Sequence, residues 1–342
     1  MVTVTVCMIV KNEEKILDRC LSCLHDLADE IVIADTGSTD RTKEIAAKYT
    51  DKIYDFRWVD DFAAARNFVF SKASGDYIYS ADADEVLDEV NRERFRLLKE
   101  NLLPEIEIVQ MYYCNQLKFG TVYNYDREYR PKLFKRVRTF SWIDPIHETV
   151  RTEPLVFDSD IEIIHEQEES HAKRDLAAFE RLCGRGGRLS GRLLDLYARE
   201  LFIAGEEEDF LRAEPYFEKI CAEEGRSEDE WKEAFCVVSR AARLRGDVPK
   251  FYKYAMKVAA CESCAEICLE LAYYYEAAAD DNEAAVWFYN AAFETESILD
   301  IRCGGEKALL GLAGCYRRSG LEEAAQEYER MAAEKEERRL SG

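Results

Sequence analysis

Strand-like and helix-like runs alternate through roughly the first 170 residues, and this most restricts the fold. "VTVTVCMIV" is followed by a helical run from Glu13 to Leu27, then "EIVIAD" and a helix beginning near Thr39 or Asp40. "KIYDF", a helix through "FAAARNFVFSKA" and the strand "DYIYSAD" continue the pattern. Strands separated by helices of about ten to fifteen residues predict a mostly parallel sheet with helices on its faces. Later runs, "IEIVQMYY", "TVYNY", "RPKLFKR" and "IEIIH", have less helix between them. They predict extra strands, some antiparallel, at one side of the sheet.

After His171 the strands stop. Residues 172–340 read as consecutive amphipathic helices rich in Ala, Leu, Tyr and Glu. Four segments share a helix–turn–helix rhythm, with turns near Gly205, Gly246, Asp280 and Gly320, spaced 41, 34 and 40 residues apart. Small residues and aromatics recur where paired helices must approach closely, and the spacing resembles irregular tetratricopeptide repeats. The polar run "EQEESHAKR" at 166–174 reads as the connection. The expected organisation is an α/β domain over 1–170 and an all-α helical-repeat domain over 171–342.

A net charge of −22 disfavours a nucleic-acid or anionic-membrane partner, since both need a cationic surface. The longest apolar runs are too short to span a bilayer, and the first lacks a basic leader, so a cytoplasmic chain is expected. Of the twelve cysteines, Cys20 and Cys23 have redox-motif spacing, and Cys261, Cys264 and Cys268 fall at i, i+3 and i+7. Neither group has the second pair or nearby histidine of a zinc site, so both are expected to pack in cores, the latter on one helix stripe.

In an open parallel sheet, ligands bind beyond the carboxyl ends of the strands. "KNEE" follows the first strand, "DTGSTD" the second and "DADE" the fourth, so three polar clusters are predicted to meet at one sheet edge. Thr39 or Asp40 reads as a helix cap, which leaves Asp35 unexplained. Asp82 and Asp84 would point to opposite sides unless the strand bends as it ends. At a bend they suit a hard divalent cation, Mg²⁺ or Mn²⁺, shared with a diphosphate; alone, such a pair is equally a solvated acidic turn. No GxGxxG follows the first strand and no GxxxxGK[ST] occurs, which weakens dinucleotide and P-loop readings.

"MIVKNEE", "VIADTGSTDRT", "FAAARN", "GDYIYSADADE" and "IHETV" occur in the order of the motifs of family-two glycosyltransferases, and residues 1–165 resemble that family and its GT-A fold. With the helical tail, the wording resembles a bacterial subgroup that glycosylates peptide sulfur or oxygen. The resemblance implies that Glu13 and Asp35 contact the nucleoside of a sugar nucleotide, with a UDP-sugar first among donors. It implies that Arg66 and Asn67 face the nucleotide near base and ribose. Asp82 would lie near the ribose and the metal, Asp84 would ligate the metal, and His165 would approach the diphosphate or metal. Departures are Lys11 where an aromatic is usual, Thr36 for the second Asp of "DDGSTD", and Asp144 for a Gly before "xHE".

The reaction so implied is metal-dependent and inverting: an acceptor hydroxyl or thiol of a glycan, peptide or protein displaces a nucleoside diphosphate. Glu148 is the candidate base, His147 orients it or the acceptor, and Asp144 and Glu85 are alternatives. "HE" is also readable as a structural turn. A second reading is a helical-repeat binding scaffold with a degenerate, nucleotide-binding transferase domain. A third is a nucleotidyltransferase, for which "KNEE" makes a poor phosphate loop. The helical half is left three roles: binding the acceptor, pairing subunits as a homodimer, or bracing the catalytic domain.

Overall fold

The computed structural model describes residues 1–114, 127–137, 142–143, 149–150, 155–165, 172–186 and 188–341. The chain divides into two compact units, one drawn from residues 1–170 and one formed chiefly by 171–342.

In the first unit, strands β1 (Val4–Val10), β2 (Glu30–Asp35), β3 (Ile53–Asp55) and β4 (Tyr77–Ala81) run parallel, in the spatial order β3-β2-β1-β4. The sheet continues through β7 (Glu128–Lys135), β6 (Ile108–Cys114), β10 (Val156–His165) and β5 (Glu85–Val86). β7 is antiparallel to both β4 and β6, while β10 returns parallel to β6. The sheet is therefore mixed and mostly parallel, as expected. β8 (Trp142–Ile143) and β9 (Thr149–Val150) pair separately.

β1 is buried almost throughout because helices cover both its faces. Val4, Val6 and Met8 pack in one core with Leu17 and Leu21 of α1 (Leu17–Leu24) and Phe95 of α4 (Glu89–Asn101). Cys7 alternates to the other face, in a core with Val69 and Phe70 of α3 (Phe62–Phe70). Asp61 and Asp88 cap α3 and α4 through their side chains.

Two helices are shorter than expected. α1 starts only at Leu17, and ahead of it the amides of Asn12, Glu13 and Glu14 bond to Ser38, to Thr42 at the start of the next helix and to Asp40. α2 spans only Thr42–Ala46 and has Arg41 at its N-cap without a side-chain cap. Asp40, one expected cap, instead accepts the Thr42 amide and hydroxyl and the Glu14 amide.

The second unit contains α5 (Ala172–Gly184), α6 (Gly191–Ala204), α7 (Glu207–Ile220), α8 (Glu228–Arg245), α9 (Val248–Ala259), α10 (Ala265–Ala277) and α11 (Asp281–Tyr289). A π-helical turn (Asn290–Glu294), α12 (Glu306–Arg318) and α13 (Glu322–Ser341) complete it. The four expected turns each separate a helix pair: α6 from α7, α8 from α9, α10 from α11 and α12 from α13. Gly246 ends α8 at φ 77°, a left-handed conformation that favours glycine. Gly311 lets α12 meet α11 closely, since a Cβ there would lie 2.2 Å from the Phe288 ring.

The cysteine expectation holds except at one position. Cys20, Cys23, Cys264 and Cys268 are buried, but Cys261 is exposed. α10 begins after Cys264, so Cys261 sits in the preceding turn rather than on the helical stripe. Among the described residues, no helix is long and apolar enough to cross a membrane.

Candidate functional site

The parallel register of β1, β2 and β4 brings their carboxyl ends to one edge, and the three polar clusters follow there. After β1, Asn12 takes a left-handed φ of 58°, and its Oδ1 accepts the Thr39 amide at 2.8 Å. The Asn12 amide donates to Ser38 Oγ at 2.9 Å, and that of Glu13 to Thr42 Oγ1 at 2.7 Å. The first and second clusters are thus stitched into one surface.

At the tip of β2, Asp35 is only 1% exposed. Its Oδ1 accepts the amides of Gly37 and Ser38, both at 2.9 Å, and closes the turn. Lys43 Nζ stands 3.8 Å from the same oxygen and pairs with Asp55 on β3. Oδ2 of Asp35 is buried with no hydrogen-bond partner among the described residues. Buried acceptors are nearly always paired, so this oxygen can take a donor that the described residues do not supply.

β4 ends at Ala81, and the chain turns through Asp82–Asp84 with the Glu85 amide donating back to the Asp82 carbonyl at 3.2 Å. This is the bend that the alternation of Asp82 and Asp84 required. Arg66, from α3, donates through NH1 to Ser80 Oγ at 2.7 Å and through NH2 to Asp82 Oδ1 at 3.1 Å. Its guanidinium also lies 4.7 Å from the centre of the Trp142 ring. Burial alone would raise the Asp82 carboxyl, but the charges of Arg66, Lys132 and Arg130 hold it well below the usual carboxylate range. The Asp82 side chain remains 41% exposed, so it still faces the open edge.

Glu85 is treated differently: it is 2% exposed, and its Oε1 accepts Lys132 Nζ at 2.6 Å. Burial pushes this carboxyl up to about 7, against the pull of Lys132 and with a further push from Asp82. Such a group, enclosed and ion-paired, is badly placed to serve as the acceptor's base.

The structure gives Asn67 a structural task. Its Nδ2 donates to the Trp142 carbonyl at 3.0 Å, and its Oδ1 accepts the Trp142 amide at 2.8 Å, so both ends of the amide hold β8. β5 pairs with the end of β10, which places His165 opposite Glu85 in the register. Asp144, His147 and Glu148 lie outside the described residues. No group of three or more potential metal-binding side chains occurs among the described residues.

Lys132, Arg130 and Trp142 escaped the sequence reading. The available signal was in "YRPKLFK": Arg130 and Lys132 stand at i and i+2, on one side of a strand, where paired cations ask for buried partners. Both approach the Tyr113 ring, at 4.1 and 5.8 Å from its centre.

Residues 5–162 match the family model described as Glycosyl transferase family 2. A TPR repeat-containing protein of Synechococcus elongatus is 47% identical over 87 residues, 25% of this chain and 22% of its own length. The prophage-derived glycosyltransferase SunS of Bacillus subtilis is 36% identical over 92 residues, 26% of this chain and 22% of its own. The lipopolysaccharide core biosynthesis glycosyltransferase LpsC of Rhizobium meliloti is 37% identical over 106 residues, 30% and 38% of the respective chains. These matches span well under half the length of each relative.

Among solved structures, glucosyl-3-phosphoglycerate synthase of Mycobacterium tuberculosis, in complex with Mn²⁺ and UDP-glucose, aligns at TM-score 0.39 and 14% identity over 56% of this chain and 81% of its own. Staphylococcus aureus TarS 1-349 aligns at TM-score 0.36 and 15% identity over 84% and 90%. The family match covers the sheet and all three polar clusters at its edge. Residues 5–162 are thus similar to glycosyl transferase family 2, on a chain whose second unit is helical.

Proposed function

We propose that the chain is a metal-dependent inverting glycosyltransferase. It moves a sugar from a nucleoside-diphosphate sugar, a UDP-sugar first among them, to an acceptor hydroxyl or thiol of a glycan, peptide or protein. In this reading residues 1–170 carry the chemistry and residues 171–342 form a tetratricopeptide-like domain. The observation that carries it is the buried Oδ2 of Asp35, without a hydrogen-bond partner among the described residues, at the edge shared with Asp82 and Asp84. An acceptor left unpaired costs about 1–3 kcal/mol. An imide N–H of a pyrimidine base would remove that cost and set the nucleoside against β2, beside Glu13.

The donor set fits a hard cation: two carboxylates on one turn, one of which keeps a solvent-facing oxygen. Asp84 would hold the ion, with Asp82 and His165 as further ligands. When bound, Mg²⁺ or Mn²⁺ supplies neutralisation of the charge that grows on the departing diphosphate. Arg66 fixes the orientation of Asp82 by occupying one of its oxygens. The acceptor oxygen or sulfur forms its bond to the anomeric carbon as the bond to the diphosphate breaks, in one displacement without a covalent sugar–enzyme intermediate. Glu148 takes the acceptor's proton and His147 orients it, with Asp144 as the alternative. The role of LpsC in lipopolysaccharide core biosynthesis favours a glycan among the acceptors.

The test is calorimetric binding and donor hydrolysis by the full chain against a panel of sugar nucleotides with Mn²⁺ or Mg²⁺. The expected result is one preferred donor, bound by the parent and not turned over by Asp84→Ala. Absence of binding to every donor, or unchanged turnover by Asp84→Ala, overturns the reading. Binding without turnover by the parent would instead support the scaffold alternative.

A further inference from the structure

We propose that Lys132 and Glu85 act as a positioning pair for the acidic turn, so that a residue from β7 sets where Asp84 stands. This rests on the donor-site reading above. Lys132 is 5% and Glu85 2% exposed, and their 2.6 Å contact lies directly behind the turn that carries Asp82 and Asp84. Lys132 Nζ also sits 5.7 Å from the Tyr79 ring centre and 5.8 Å from that of Tyr113, two buried aromatics on β4 and β6.

A buried ion pair is a weak source of stability, because taking both charges out of water offsets most of their attraction; apolar replacements are often neutral or better. Its location then asks for another explanation. The turn is anchored at its entrance, where Arg66 holds the Asp82 carboxylate and the Cys20 thiol donates to the Asp82 carbonyl at 3.3 Å. At its exit the Leu87 amide reaches Cys23 Sγ at 3.5 Å, and among the described residues β5 pairs with Ile164 and His165. Two paired residues make a weak strand, and Lys132 adds a buried ion pair to this exit. Asp84 stands between the two anchors. Oε2 of Glu85 has no hydrogen-bond partner among the described residues, so the Lys132 contact is what the structure gives this carboxylate for company.

The experiment uses the full chain and compares Lys132→Met, Glu85→Gln, Lys132→Arg and the double variant Lys132→Met/Glu85→Gln. Lys132→Met leaves the buried Glu85 carboxyl without its partner and is expected to melt earlier; in the double variant neither group carries charge, and most of that loss should be recovered. Hydrogen exchange of amides 83–87 is expected to be roughly tenfold faster in the double variant, with the β1 amides unchanged. Donor turnover should fall by roughly tenfold or more through kcat, because ligands displaced by about 1 Å lose that much. Lys132→Arg should restore part of it.

Parent-like exchange and turnover in the double variant would overturn the proposal. So would activity losses that simply track melting temperature across the set. If the parent binds no sugar nucleotide, the donor-site reading fails, and the exchange measurement still decides whether the pair positions the turn.

Discussion

Arg66 reaches from α3 across the end of β4 and sets one guanidinium nitrogen 3.1 Å from the Asp82 carboxylate while the other holds Ser80. One buried cation thus fixes the last strand residue but one and the first acidic residue of the turn. The guanidinium plane is covered by Trp142, whose main chain is held by Asn67, the next residue of α3. Positions 66 and 67 therefore brace two separate segments of the site edge.

Arg66→Met should remove both hydrogen bonds and the ring contact, and destabilise the chain by about 1–3 kcal/mol. It should also change the acid response. The depressed carboxyl of Asp82 contributes stability that is present above the unfolded value of about 3.9 and lost as pH falls below it toward the folded one. Urea titrations from pH 6 down to pH 3 should show a shallower decline for the variant than for the parent.

Asp35→Asn preserves the oxygen that closes the Gly37–Ser38 turn and converts the unpartnered Oδ2 into a donor. Melting should change little, while the affinity for a uridine diphosphate should fall by roughly 10- to 100-fold, the worth of one buried hydrogen bond exchanged for a donor–donor clash. Calorimetry with the free nucleotide reads this without requiring the acceptor.

Asn67→Leu is isosteric enough to fill its site but leaves the amide and carbonyl of Trp142 without side-chain partners. The expected cost is about 1–3 kcal/mol. Because the Trp142 ring packs against Phe70 and Phe134, 5.7 Å away in each case, loosening β8 should also shift tryptophan emission to the red. A nucleotide-contacting role for Asn67 would instead leave emission and stability in place and lower donor affinity alone.

These residues show where a sequence is readable and where it is not. Local alternation is enough to recognise β1, β2 and β4, and their parallel pairing then forces "KNEE", "DTGSTD" and "DADE" to one edge. The four helix pairs were readable for the same reason, since turn residues and apolar stripes are local signals. The place of β7 between β4 and β6 is not local: a strand's neighbours are chosen by the whole sheet, so "YRPKLFK" signals a need for buried acidic partners but not that Glu85, 47 positions earlier, is the one Lys132 takes. The backbone that Asn67 supports was unreadable for a related reason, since Trp142 lies 75 positions later.

Glu200 of α6 supplies a pH prediction in the helical unit. It is 4% exposed, and burial, aided by the charge of Asp175 and opposed by Arg174, pushes its carboxyl up to about 8. A raised folded value means that its contribution is fully present below the unfolded value of about 4.3 and is lost as pH rises through about 8. Across that window the parent should lose stability by up to about 1.4 kcal/mol per pH unit from this group. Glu200→Gln, which cannot ionise, should flatten the slope and be the more stable protein at pH 8–9 in thermal melts. A slope unchanged by the substitution would assign the pH response to other groups.

Glu266, the second residue of α10, is fully buried and accepts the amides of Ile298, Leu299 and Asp300 at 2.8–3.1 Å. Those three donors belong to the segment that enters α12, where helical bonding cannot satisfy them. Asp300, shaped by this cradle, holds Arg302 and Lys307, and Arg302 in turn donates to the Ile203 carbonyl at the end of α6. The carboxylate therefore sits at the head of a chain of contacts linking α10, α12 and α6. Glu266→Ala should strand three buried amides and release Asp300, with a cost of roughly 3–5 kcal/mol in urea unfolding. Glu266→Gln keeps one acceptor oxygen but presents an NH₂ group to the remaining donor, so it should lie between alanine and parent. Arg302→Met should cost less than Glu266→Ala, since it breaks only the outer links; the reverse order would place the organising contact at Asp300 rather than at Glu266.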